Sequence, residues 1–108
     1  MKESNNALNS VSFTQFLRPD GRRREVTIDV PADIAESADT LISMGARLEI
    51  EVLLDGTVSA TIERYKKNRG TEVLAIELCN NGPEVPIAIN RLIKDALIKA
   101  TSSSPAQA

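Results

Sequence analysis

The sequence predicts an α+β fold: a two-layer sandwich in which a mainly antiparallel five-stranded sheet carries two helices on one face, in the order ββαβββα. Three observations lead there. Several short stretches alternate apolar with polar residues and are bounded by Gly, Asn or Asp, which is the pattern of half-buried strands. Two longer stretches instead repeat apolar residues at helical spacing, each with a proline at or near its start. Finally, 108 residues give room for one modest hydrophobic core and not for two.

Taken in order, Val11 to Leu17 (VSFTQFL) reads as a strand. Pro19, Asp20 and Gly21 then turn the chain, Pro and Asp suiting the centre of a tight turn and Gly supplying a positive φ. From Glu25 to Val30, Val26, Ile28 and Val30 share one face while Glu25, Thr27 and Asp29 share the other, so the two strands form a hairpin. Pro31 and Gly45 bracket a helix whose Ile34, Ala38, Leu41 and Ile42 form an apolar stripe, with Asp33 and Glu36 in its first turns, where the helix dipole favours acids. Leu48, Ile50, Val52 and Leu54 alternate with Glu49, Glu51 and Leu53. Asp55-Gly56 turns the chain into Val58, Ala60 and Ile62, which alternate with Ser59, Thr61 and Glu63. In a fifth strand Leu74, Ile76 and Leu78 alternate with Val73, Ala75 and Glu77. After the turn at Asn80 to Pro83, a second helix runs from Glu84 to Ala100, tolerating Pro86 in its first turn and burying Ile89, Leu92, Ile93, Ala96 and Leu97. Alternation of this kind buries one sheet face and leaves the other wet.

The domain organisation that follows is a flexible N-terminus over 1–9, a single α+β domain over 10–100 and a disordered tail over 101–108, where three serines, a proline and a glutamine offer nothing to bury. Phe13, Phe16 and Tyr65 are the only aromatics, so the core is aliphatic. No charged start is followed by an apolar run, and no stretch approaches the ~18 apolar residues of a membrane span. The lone Cys79 fits a reducing compartment. The expected location is the cytoplasm, with no membrane partner.

The sequence excludes much chemistry. Without histidine there is no Ser/His/Asp or Cys/His nucleophilic site, and one cysteine cannot make up a zinc site. The five glycines are spread one per turn, so no phosphate-binding glycine loop exists. Cys79 has no cationic sequence neighbour to activate it and reads as a small, partly buried residue. Glu49, Glu51, Glu63 and Glu77 are expected on the wet sheet face, where solvated carboxylates make poor general acids. No catalytic residue, metal or cofactor is expected.

What remains is charge and an apolar helix face. If the chain reversed at every connection, the turn at 18–24, the end of the first helix, the loop at 65–71 and the end of the second helix would share one end of the sandwich. That end would collect Arg18, Arg22, Arg23, Arg24, Arg47, Lys66, Lys67, Arg69 and Lys99 against Asp20, Glu25 and Glu72, a local charge of +6 in a chain of net charge −2. Cations in turns and at helix C-termini are common for reasons of solvation alone. On the second helix, Ile87 and Ile98 fall outside the core stripe, beside Arg91 and Lys94, and Leu53 and Val73 fall on the wet sheet face. The candidate partner-binding residues are therefore Arg18, Arg22, Arg23, Arg24, Lys66, Lys67, Arg69, Ile87 and Ile98. They make the expected function that of a small non-catalytic protein-binding or accessory protein, with homo-oligomerisation through the second helix among its forms. The alternative is weak nucleic-acid backbone binding through a basic end formed by the two loops. That alternative lacks exposed aromatics for base stacking and a basic helix for a groove.

The segments FTQFLRPDGRRREVTIDVP (13–31), GARLEIEVLLDGTVSATIE (45–63) and NGPEVPIAINRLI (81–93) resemble a group of small bacterial and phage proteins with no assigned activity. The resemblance lies in turn and core pattern. It implies a fold and a non-enzymatic accessory role toward a host or phage component, and it carries over no functional residue.

Overall fold

The computed structural model describes residues 8–17, 21–66 and 70–102. The elements are β1 (Leu8–Leu17), β2 (Arg22–Pro31), α1 (Ala32–Ser43), β3 (Ala46–Val52), β4 (Thr57–Lys66), β5 (Gly70–Asn80) and α2 (Glu84–Ser102). They form an α+β fold in the expected ββαβββα order, with one five-stranded sheet and two helices packed against it. Two limits differ from the sequence reading. β1 begins at Leu8, so residues 8 and 9 are strand, and α2 runs on to Ser102, two residues past the expected end. Residues 1–7 and 103–108, which hold the rest of the expected flexible segments, lie outside the described residues.

The sheet order is β2-β1-β3-β4-β5. β1 and β2 pair antiparallel from Leu8↔Pro31 to Leu17↔Arg22, the expected hairpin, with Gly21 at φ 71° beside its turn. β3 pairs antiparallel with β4, and β4 with β5. β1 and β3 are parallel, in register Thr14↔Glu49 to Leu17↔Val52. This one parallel pair makes the sheet mixed, and it follows from how α1 connects β2 to β3. The helix begins immediately after Pro31, which lies level with Leu8, and Gly45, at φ 90°, delivers the chain to Ala46, which the register sets level with Val11. Both ends of α1 therefore lie toward the same end of the sheet, and the helix crosses β1 instead of running back along it.

The core lies between the sheet and the helices. Val11 and Phe13 of β1, Val30 of β2, Leu48 and Ile50 of β3, and Val58, Ala60 and Ile62 of β4 meet Ile34, Ala35, Ala38 and Leu41 of α1 and Ile89, Leu92, Ile93 and Ala96 of α2. Alanines at several helix contact positions let both helices lie close to the strands, and Phe13, fully buried on a central strand, is the core's only aromatic. Ile42 and Leu54, expected in the core, are exposed. Ile42 lies at the margin of the α1 stripe, and Leu54 falls in the 53–56 turn because β3 ends at Val52. That turn is closed by hydrogen bonds from Gly56 N–H to the Leu53 carbonyl (3.0 Å) and from Leu53 N–H to the Thr57 carbonyl (2.8 Å).

β5 carries the largest departure. A β-bulge shifts the β4–β5 register, so that Ile62 pairs with Ala75 but Glu63 with Val73, and Leu74 has no partner opposite it. A bulge changes which residues face which side. Leu74 stays buried, while Ala75, Glu77 and Cys79, opposite Ile62, Ala60 and Val58, turn toward the helix side. Ile76 and Leu78, expected in the core, project with Val73 onto the open face.

Candidate protein-binding surface

The strand register separates the basic residues that the sequence reading had brought together. Leu17 and Arg22 flank the β1–β2 turn at one end of the sheet, while Lys66 and Gly70 flank the β4–β5 turn at the other. A ten-residue strand separates them by about 30 Å. The single basic end is thus corrected to two smaller groups. Arg22, Arg23 and Arg24 stand at the hairpin end, with Arg47, Lys66 and Lys99 at the far end. The physical reason is the crossing path of α1, which keeps β3 parallel to β1 where a reversal had been assumed. Arg18, Lys67 and Arg69 lie outside the described residues.

Several of these cations already have intramolecular partners. Arg24 Nε donates to Gln15 Oε1 at 2.9 Å, and the Arg23 guanidinium lies 6.0 Å from the centre of the Phe16 ring. Lys66 Nζ and Arg64 Nη2 each lie 3.1 Å from Glu72 Oε1. The Glu72 carboxyl is held below its ordinary value by the hydrogen bond from Lys66 first and also by Arg64, against a smaller opposing effect of burial.

The carboxylates of the open face form no catalytic arrangement. Burial, then a side-chain hydrogen bond with Glu63 and the Glu63 charge, raise Glu49 above the ordinary glutamate value, with Arg47 and Arg23 opposing. The hollow beside it, lined by Phe16, Glu49, Glu51, Ser59 and Thr61, is only 40 Å³, too small for a substrate. Glu77, expected on this face, lies on the helix side because of the bulge, and accepts an ion pair from Arg91 Nε of α2 at 3.3 Å. Cys79 is half-buried. Burial, then the charges of Glu84 and Glu77, raise its thiol and so disfavour the thiolate. Among the described residues no three of His, Cys, Asp and Glu come together as a metal site would need.

Most of the exposed apolar groups, by contrast, gather along one edge, Ile42 and Leu54 lying elsewhere. Ile76 and Leu78 are 56% and 65% exposed, and Val73 and Tyr65 extend the row on the open face. On the helix layer, Ile87 and Ile98 are 61% and 64% exposed. Eleven residues apart, they sit on one side of α2, three turns from each other. Ile98 also borders an open groove of 480 Å³ with Leu74, Asp95, Lys99 and Ser102, where α2 meets β5. Sequence alternation could not find Ile76 and Leu78, because the bulge inverts its reading of them. Ile87 and Ile98 were legible from helical spacing.

The two sheet edges differ. β2 begins with three arginines and ends on Pro31, the charges and proline that block an edge from pairing. β5 offers eleven residues (GTEVLAIELCN) with no Lys, Arg or Pro. Its two acids, Glu72 and Glu77, are both already ion-paired within the chain.

These features define an α+β sandwich with one charged edge, one apolar edge and no recognisable catalytic centre among the described residues. No protein-family model, curated protein or solved structure matches the chain. No helix among the described residues is long and apolar enough to cross a membrane.

Proposed function

We propose that the chain is a small non-catalytic protein-binding protein of the cytoplasm, and that its contact surface is the edge formed by β5 and the outer side of α2. The observation that carries this reading is the exposure of Ile76 and Leu78 on an unguarded edge strand, with Ile87 and Ile98 exposed on the helix above it. Scattered exposed aliphatics need no explanation, but aliphatics gathered along one free strand mark an interaction surface or an aggregation hazard. The resemblance to small bacterial and phage proteins favours an accessory role.

Nucleic-acid backbone contact is the weaker reading. The strand ends that flank the two segments on which it relied, Leu17 with Arg22 and Lys66 with Gly70, stand at opposite ends of the sheet, and Arg23, Arg24 and Lys66 have partners within the chain.

The test is binding of proteins from nuclease-treated lysate to immobilised wild type and to an Ile76→Lys/Leu78→Lys double variant. Loss of capture in the variant, with an unchanged far-UV spectrum, supports the reading. Equal capture by both, or capture that instead depends on Arg22 to Arg24, overturns it.

A further inference from the structure

We propose that the occupant of this edge is a second copy of the chain, joined by antiparallel pairing of β5 with β5 into a continuous ten-stranded sheet, with the two α2 helices side by side above the seam. This rests on the reading of the β5–α2 edge as the contact surface. The reason to choose a second copy is that the exposed groups of two different layers obey the same two-fold symmetry.

The axis is located first on the strand. Centred on Ile76, it sets Ile76 against Ile76 of the second copy, and the flanking Glu77 against Ala75. No like charges are then directly opposed, whereas centring on Glu77 would set two glutamates face to face. Against β4 the bulge sets two residues, Leu74 and Ala75, opposite Ile62, and carried across the strand to the free edge it sets both opposite Glu77 of the second copy. Leu78 of the second copy therefore meets Val73, and the open face gains a stripe of three apolar pairs.

The helix layer gives the axis independently. α2 runs antiparallel to β5, and the Arg91–Glu77 ion pair sets the level of one against the other. Ile76 lies one residue along β5 from Glu77. One strand residue spans about as much as two helix residues, so the axis passes α2 near 92–93. The midpoint between Ile87 and Ile98 falls there as well. The axis that pairs Ile76 with itself therefore brings Ile87 against Ile98 of the second copy. It also brings Arg91 beside Lys94 and Asp95 of the second copy, so the Lys94 charge opposes it there, while Asp95 at the groove and Glu77, already paired with Arg91, offset that repulsion. With strands about 4.8 Å apart, and each α2 seated over its own β4 and β5, the two helices come to about 10 Å, the ordinary packing distance.

The size is sufficient. Pairing over Thr71–Asn80 gives a seam about 30 Å long, and the molecule is 20 Å through its thinnest dimension. The face buried is then roughly 600 Å² per copy and about 1,200 Å² in total, at the lower end of the range for stable protein interfaces.

Sedimentation equilibrium of the wild-type protein, with Ile76→Lys and Leu78→Lys as separate variants, tests this. Both side chains are exposed in the single chain, so the variants fold, as circular dichroism checks. The expected result is a wild-type dimer whose dissociation constant rises by about a hundredfold or more in each variant. A wild type that stays monomeric overturns the self-pairing and leaves the edge as a surface for other proteins. A wild-type dimer that survives both substitutions overturns the self-pairing and the edge reading together.

Discussion

Replacing Leu74, Ile76 and Leu78 by alanine one at a time separates what the bulge does from what sequence alternation expects. Alternation gives the three residues the same role, with equal costs. In the structure Leu74 is 4% exposed, while Ile76 and Leu78 keep more than half of their surface in water. Truncating a buried leucine costs about 2.7–5 kcal/mol in a well-packed core. Leu74 sits beside the open groove under Ile98, where the surroundings can relax into the space, so about 3 kcal/mol is expected. For Ile76 and Leu78 only the covered fraction of the side chain is at stake, which sets the cost at about 1 kcal/mol or less. With a urea dependence of about 1.5 kcal/mol per molar, the midpoint falls by about 2 M for Leu74→Ala and by about 0.7 M or less for the other two. The assay is equilibrium urea unfolding followed by circular dichroism at low micromolar protein, where self-association contributes least. Repeating it at a much higher concentration adds a linkage test. The wild-type midpoint rises with protein concentration and those of Ile76→Ala and Leu78→Ala rise less, because pairing stabilises the folded state by mass action. Equal losses at all three positions would refute the inverted register of β5 and everything argued from it.

Two further predictions concern charge. Glu49 is raised in the folded chain, so its carboxylate destabilises the fold at neutral pH, and the protonated form is favoured below the ordinary value of 4.5. Glu49→Gln is expected to raise thermal stability at pH 7 by about 0.5 kcal/mol, the scale of a like-charge cross-strand pair, and the gain should vanish as pH falls below that value. Glu72 shifts the other way. Its folded value is depressed by Lys66 and Arg64, so its contribution is present above the ordinary value and lost as pH falls through the depressed one. Glu72→Gln should therefore cost about 0.5 kcal/mol at pH 7, as a solvent-screened ion pair does, and the melting curves of variant and wild type should converge in acid.

Much of the fold was legible because local pattern and tertiary demand agree. Val26, Ile28 and Val30, and Val58, Ala60 and Ile62, alternate in strands whose one face meets the helices. Pro31 and Gly45 flank α1, and the stripe from Ile89 to Ala96 forms the buried side of α2. What was not legible depends on pairs of elements. The direction of β3 relative to β1 is set by the path of α1 across the sheet, which its apolar stripe does not encode, and the basic residues were misplaced as a result. The bulge at Leu74 exists only in the pairing of β5 with β4, and no residue in TEVLAIEL announces it. Of the candidate surface, Ile87 and Ile98 could be found by counting along one helix. Ile76 and Leu78 could not, since their own alternation argued for burial.

The self-pairing through β5 is tested most directly by a cysteine placed on its axis. In a Cys79→Ser background, Ile76→Cys sets the new thiol opposite its own copy, within the span of about 4.5–5.5 Å between Cβ atoms of directly opposed residues. Mild oxidation should convert most of the protein to a disulfide-linked dimer on a non-reducing gel. Thr27→Cys in the same background, exposed on the opposite edge strand, should remain monomeric. Slow and equal cross-linking at the two positions, or none at Ile76, would contradict the account.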